Sequence, residues 1–368
     1  MIKKITLSIV FCLLLVLLNP VLVQAGSDLD IISSSAEMDF PSRLVFDISA
    51  QSNASINDIR LHYRVNRMEH ALITSEVYIE FTPAKSVSEE WVWDMRKTGG
   101  LPPGSSVDYW WTVTDVEGSR VETSMASVQI EDNRYDWQSI TEGDVTLYWY
   151  KGDDSFGGEL METAQGALAR LARDTGAGLE NPINIYIYAS SRDLRGSMVY
   201  PQEWTGGVAF TRYGIIAIGI SSSESDLEWG KRAIAHELTH LVIHQMTFNP
   251  YCDLPTWLDE GLAMTSEGEM ELNFVAVLNK AREENKLITV RSLASPFSAY
   301  AEESFLAYAQ SYRLVEYLID NYGRDKMFEL LNTFRQGSGY DEALEKVYGF
   351  DMDGLDALWR ASMEGSAG

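Results

Sequence analysis

Three of the five histidines in this 368-residue chain, His236, His240 and His244, fall in one short stretch. The first two belong to His236-Glu237-Leu238-Thr239-His240. Leu227, Ala233, Ile234, Leu238, Leu241 and Val242 recur around it at helical spacing, with Asp226 as the expected N-cap. On a helix, residues four apart lie one above the other, so His236 and His240 can aim both imidazoles at one metal ion. Glu237, one residue on, points beside that ion, where a carboxylate can hold a water and take its proton. An H-E-x-x-H helix therefore predicts a zinc site for metal-assisted hydrolysis.

A zinc site of this kind needs a third protein ligand and one open position. Four arrangements are available. His244 continues the helical row but stands two turns from His236, and three ligands on one straight helix cannot converge on one ion. A metzincin-type histidine would sit at position 246 with glycine at 243, but these are Met246 and Ile243. Cys252, in Asn249-Pro250-Tyr251-Cys252, reads as a buried thiol in a loop. Glu260 lies in Leu254-Pro255-Thr256-Trp257-Leu258-Asp259-Glu260-Gly261-Leu262-Ala263, where Pro255 is well placed to open a helix. Residues 241–259 leave room for a helix end, a loop and entry into a second helix packed on the first.

The pair H-E-L-T-H and L-P-x-W-L-x-E-G-L-A resembles the gluzincin branch of the zincin metallopeptidases, close to the peptidase-MA-like domains. It is also similar to the aminopeptidase and thermolysin families, whose third ligand is a glutamate on a following helix. The resemblance covers roughly residues 140–366. It implies one Zn2+ per chain held by His236, His240 and Glu260, with Glu237 as general base and acid on a peptide or protein substrate. Phe305-Leu306-Ala307-Tyr308-Ala309-Gln310-Ser311-Tyr312 extends it: similar domains have an A-Y-x-Q-S-like helix closing over the metal. A tyrosine on such a helix can donate to a developing oxyanion. Tyr308 is the catalytic candidate and Tyr312 its substitute, against the reading of Tyr308 as a core aromatic.

The sequence departs from these families at two points. The aminopeptidases carry an acidic G-x-M-E-N-like edge strand that grips the substrate's free amine, whereas Thr205-Gly206-Gly207-Val208-Ala209-Phe210 has no acid. The aspartate four residues after the third ligand in thermolysin-like chains is Met264 here. Exopeptidase activity and thermolysin-type support of the histidines are therefore not expected. Asp351-Met352-Asp353-Gly354-Leu355-Asp356 hints at a calcium loop but lacks its spacing, and Asp353 is read as the cap of a final helix.

The elements that must position this chemistry follow from periodicity. From Val145 the pattern gives a strand, a helix through Met161, Ala164, Leu168 and Leu171, a strand at Ile183, Ile185 and Ile187, and a hairpin around Tyr213-Gly214. Beyond Ser221 nearly everything reads helical, except Leu287 to Pro296. This is an α+β, zincin-like two-lobed catalytic domain, placed at 140–366. Before it, period-two apolar alternation separated by turn residues, among them Asn57-Asp58, predicts about seven short strands. They form an antiparallel β-sandwich, placed at 27–133, which resembles fibronectin-type-III or immunoglobulin-like modules. Glu131 to Ser139 reads as a polar linker.

Composition narrows the class further. The chain is 45% hydrophobic, 23% charged and rich in aromatics, which excludes a wholly disordered protein. Lys3 and Lys4 precede an apolar run from Ile5 to Leu18 and a small-residue site at Val23-Gln24-Ala25, the layout of a secretory signal peptide over 1–25. That run is too short to span a bilayer. The mature chain is expected to be secreted, with no membrane span. Its formal charge of −25, or −27 once Lys3 and Lys4 leave, disfavours nucleic acid and anionic lipid as partners. Only Cys252 remains after cleavage, so no intrachain disulfide is expected. The sequence is silent on oligomeric state. Rivals to a secreted zinc peptidase are a degenerate peptidase domain serving as an extracellular binding or scaffold protein, and a zinc hydrolase of some other substrate.

Overall fold

The computed structural model describes residues 29–203, 205–298 and 300–365. The signal-peptide segment lies outside the described residues. Among the described residues no helix is long and apolar enough to cross a membrane.

The N-terminal domain is one antiparallel sheet folded on itself. It comprises β1 (Asp30–Asp39), β2 (Arg43–Asn66), β3 (Ser75–Tyr78), β4 (Ala84–Asp94), β5 (Ser106–Asp115), β6 (Arg120–Glu122) and β7 (Ala126–Gln129). Asn57-Asp58 does not end a strand, contrary to the sequence reading. β2 runs unbroken through both layers, pairing β1 and β4 along its first half and β3 and β5 along its second. The change of partner falls where the register slips, between Gln51 and Asp58. There the buried Ser52 hydroxyl donates to Asp115 Oδ2 at 2.8 Å, so the bend has an internal polar anchor. Leu44, Phe46 and Ile48 from one half and Ile59, Leu61 and Trp111 from the other close a shared core, which makes the domain a sandwich.

The C-terminal domain begins with a second sheet of order β11-β12-β10-β9-β8: β8 (Gln138–Glu142), β9 (Val145–Trp149), β10 (Ile183–Tyr188), β11 (Gly207–Phe210) and β12 (Ile215–Gly219). β9, β10 and β12 are parallel, and β8 and β11 are antiparallel edges. Helix α1 (Asp154–Thr175) connects β9 to β10, and the short α2 (Ser191–Arg195) follows β10. The remainder is helical: α3 (Glu224–Thr247), α4 (Thr256–Ser266), α5 (Leu272–Glu283), α6 (Val290–Leu293), α7 (Ala301–Tyr322), α8 (Arg324–Arg335), α9 (Tyr340–Tyr348) and α10 (Met352–Gly365).

Helix α3 is the spine of this domain. Ile234, Leu238 and Leu241 pack with α1 and the sheet, whereas Val242, Ile243 and Met246 enter the core of the helical lobe. A helix with apolar neighbours on two sides carries its polar residues along what is left, the seam between lobes. Its N-cap is Ser223, whose hydroxyl accepts from the Asp226 backbone N–H, and not Asp226 itself, which sits inside the first turn. The final helix is likewise capped by Asp351, which accepts from Gly354 N at 2.7 Å, while Asp353 pairs with Arg291.

The segment 131–139 is no free linker. Asp132 is buried, accepts from Tyr188 Oη at 2.9 Å and pairs with Arg134, which also donates to the Gly196 carbonyl. Further along the junction, Met68 N donates to Arg212 O at 2.7 Å, and the ring of His70 stacks on Phe248 with centroids 4.0 Å apart.

Candidate metal centre

The seam holds one cluster of metal-ligand type among the described residues: His236 and His240 from α3, and Glu260 from α4. Two features bring α4 to that distance. Pro255 precedes its first turn, and Gly261 lets it lie directly on α7. A Cβ at Gly261 would stand 2.5 Å from the Ser311 carbonyl oxygen and 2.6 Å from Val315 Cγ2. Trp257, Leu258 and Leu262 seal the other faces of α4.

The three facing atoms define a triangle. His236 Nε2 and His240 Nε2 are 3.1 Å apart, and Glu260 Oε2 lies 3.4 Å from the first and 3.5 Å from the second. Ligands about 2.05 Å from a tetrahedral zinc ion stand about 3.3 Å from one another, so the observed edges match that geometry. Glu260 Oε2 is buried and has no hydrogen-bond partner. An orphaned carboxylate oxygen facing two imidazole nitrogens is costly unless a cation joins them. The donor set, two imidazoles and one carboxylate, is that of a zinc site with an open position.

The electrostatics agree. Burial pulls His236 down, but the nearby carboxylates of Glu260 and Glu267 outweigh it and push the imidazole up to about 9. Burial likewise opposes the proton on His240, and Asp259 and Glu260 overcome it. Burial would raise Glu260, yet His240 and His236 hold its carboxyl well below the usual range. Carboxylates gathered round two imidazoles demand positive charge at this point, which a divalent cation supplies.

The outer ring of partners was not legible in the sequence. Glu267 Oε1 lies 2.8 Å from His236 Nδ1, and Asp259 Oδ2 lies 3.1 Å from His240 Nδ1, at an angle outside hydrogen-bond alignment. Met264 stands where a thermolysin-like chain has the aspartate that supports a histidine. Glu267, one helical turn further on, does so, and Arg232 at 3.3 Å steadies it in turn. The available signal was the spacing of Glu260 and Glu267, two turns apart on one face of α4.

Glu237 sits at the same seam, facing the edge strand β11. A Cβ at Gly207 would lie 3.0 Å from Glu237 Oε1, so glycine is what fits between strand and carboxylate. Burial raises the Glu237 carboxyl above its ordinary value; His236 and His240 oppose this, and the Ala209 backbone N–H also favours the charged form. Tyr308, on α7, packs edge-on against Phe297 with centroids 5.2 Å apart. Burial and then the charges of Glu260 and Glu237 push its hydroxyl up, so the phenol stands within electrostatic reach of the cluster. Tyr312 is turned elsewhere, its hydroxyl donating to the Gly268 carbonyl at 3.3 Å. His244 and Cys252 stand apart from the cluster. Burial lowers the His244 imidazole, whose ring lies against Phe248, and the Cys252 thiol donates to the Ser338 carbonyl.

No curated protein matches the chain. Among solved structures, OgpA from Akkermansia muciniphila, in complex with an O-glycopeptide substrate, is 7% identical with a TM-score of 0.22, covering 29% of each chain. The chain thus spans under a third of that protein's length. An M1 zinc metallopeptidase from Deinococcus radiodurans is 12% identical over 90% of this chain and 94% of its own, TM-score 0.39. Aminopeptidase A from Legionella pneumophila, in complex with aspartic acid, is 10% identical over 91% of this chain and 49% of its own, TM-score 0.40. Likenesses this loose carry no detail of the site. The family assignment comes from the Peptidase MA superfamily, whose family model matches residues 163–365, a span running from α1 to the end of α10. The chain belongs to the Peptidase MA superfamily.

Proposed function

We propose that this protein is a secreted, zinc-dependent peptidase. The observation that carries the reading is the inward-facing triangle of His236, His240 and Glu260 with an unpartnered carboxylate oxygen, next to a desolvated Glu237 on the same helix. His236, His240 and Glu260 would hold a zinc ion, which when bound would supply Lewis acidity for hydrolysis.

The chain's own residues do the rest. Glu237, its proton affinity raised by burial, accepts a proton from the attacking water and passes it to the departing amine. Tyr308, its phenol kept neutral by burial, donates to the oxygen on which charge develops. Glu267 fixes the orientation of the His236 imidazole, and the Asp259 carboxylate lies beside His240. The unpaired side of the β11 edge, beside Glu237, suits an extended peptide. Export through residues 1–25 gives the extracellular location, and N-terminal sequencing of protein from the culture medium should begin at Gly26.

The test is Glu237→Gln assayed on a peptide library. Gln fills the same space but takes no proton, so hydrolysis should fall at least about 100-fold with zinc still bound. Unchanged turnover removes Glu237 as the base. A wild-type protein that binds zinc yet cleaves no peptide supports the scaffold alternative.

A further inference from the structure

The far face of the catalytic sheet, away from α1 and α3, carries a second site candidate that the peptidase reading does not use. A cavity of about 440 Å³ opens there at the junction of the two domains, within the ~300–1,000 Å³ of small-molecule pockets. Parallel pairing of β9 and β10 sets Tyr148 opposite Tyr186. Their rings stack 4.7 Å apart at 8°, and Trp137 meets Tyr186 edge-on at 5.4 Å. The same cross-strand row continues to Ala217 beyond Tyr186 and to Ser139 beyond Tyr148. The outer face of Tyr148 therefore lies beside an exposed serine, too small to cover a ring.

The walls are polar and uncommitted. Glu131, Asn133 and Asn184 line the cavity, and among the described residues none of their side chains has a hydrogen bond or ion pair. The neighbouring Asp132, by contrast, is spent on Arg134 and Tyr188. Among the described residues no lysine or arginine lines the cavity, so an anionic ligand would have no counter-charge in the lining. Amides that both donate and accept, a carboxylate that accepts twice, and the aromatic rings of Trp137, Tyr148 and Tyr186 in the same lining together match a ligand with many neutral hydroxyls and one apolar face. We propose that this cavity binds a neutral saccharide, its C–H face on Tyr148 and its hydroxyls on Asn184, Asn133 and Glu131.

The inference is independent of the peptidase reading, and its readout is binding. Saturation-transfer NMR on the full chain would use cellotetraose, chitotriose, mannotriose and galactosyl-β1,3-N-acetylgalactosamine as probes, with a proline- and tryptophan-containing peptide as control. At least one sugar should show transfer. Tyr148→Ala and Asn184→Ala should each weaken it about tenfold or more, with peptide hydrolysis unchanged. Asn133→Trp, at an exposed position of the lining, should fill the cavity and abolish binding without disturbing the fold, which keeps the test valid if Tyr148→Ala misfolds. Transfer to the free sugar that is unchanged on a peptide carrier points to a soluble oligosaccharide; transfer that strengthens when the same sugar is carried on a peptide points to a glycan on a protein. Absence of transfer from every sugar at millimolar concentration, binding of the control peptide alone, or sugar binding that survives Asn133→Trp overturns the proposal.

Discussion

Removing Glu267 should weaken zinc binding without touching a ligand. Its Oε1 lies 2.8 Å from His236 Nδ1, and its side chain is only 15% exposed. The carboxylate fixes the tautomer that leaves Nε2 free to ligate and makes that nitrogen more basic. Loss of such a partner costs about 10–100-fold in metal affinity, or about 1.4–2.7 kcal/mol. Glu267→Gln keeps an acceptor oxygen but loses the charge, so it belongs at the low end of that range. Glu267→Ala loses both and leaves Arg232 to pair with Glu271, 3.5 Å away, so it belongs at the high end. Asp259→Asn is the internal comparison. Asp259 is 37% exposed and poorly aligned with His240, and solvent screening should hold its effect below about tenfold. The assay is zinc competition against a chromophoric chelator, run on all three variants with thermal melts to confirm folding. Zinc affinity within about threefold of wild type for Glu267→Ala, or a larger loss in Asp259→Asn, would refute the reasoning.

Other outcomes follow from the same geometry. Tyr308→Phe should lower kcat about 10²–10³-fold with little change in KM. Tyr312→Phe should leave kcat near wild type, because that hydroxyl is engaged with Gly268; steady-state kinetics that reverse the two would move the role to Tyr312. Gly261→Ala should destabilise the fold by about 1–3 kcal/mol, read from denaturant melts, since the new methyl meets the Ser311 carbonyl and Val315. A neutral Gly261→Ala would mean that α4 and α7 can part without cost.

What could be read from the sequence, and what could not, divides along a physical line. His236, Glu237 and His240 are legible because helical spacing alone sets their relation. Glu260 came from the motif around it, since its approach to α3 depends on how α4 packs through Gly261. The support given by Glu267 and Asp259 depends on the same packing and left only a faint trace in spacing. Caps were misplaced by a few residues at Asp226 and Asp353, because several Ser and Asp side chains crowd each helix start and local composition does not choose among them. β2 looked like two strands, since Asn57-Asp58 carries turn chemistry that the sheet absorbs at a register shift. Residues 131–139 looked solvated because a buried carboxylate such as Asp132 is indistinguishable in sequence from an exposed one until Tyr188 and Arg134 are seen to satisfy it.

Metal content of the purified full chain, set beside that of three variants, tests the central claim most directly. The account predicts one zinc per chain in the wild type and in His244→Ala, and none retained through dialysis in His240→Ala or Glu260→Ala. Zinc lost from His244→Ala but kept by Glu260→Ala, or no bound zinc in a folded wild-type protein offered the metal, would contradict it.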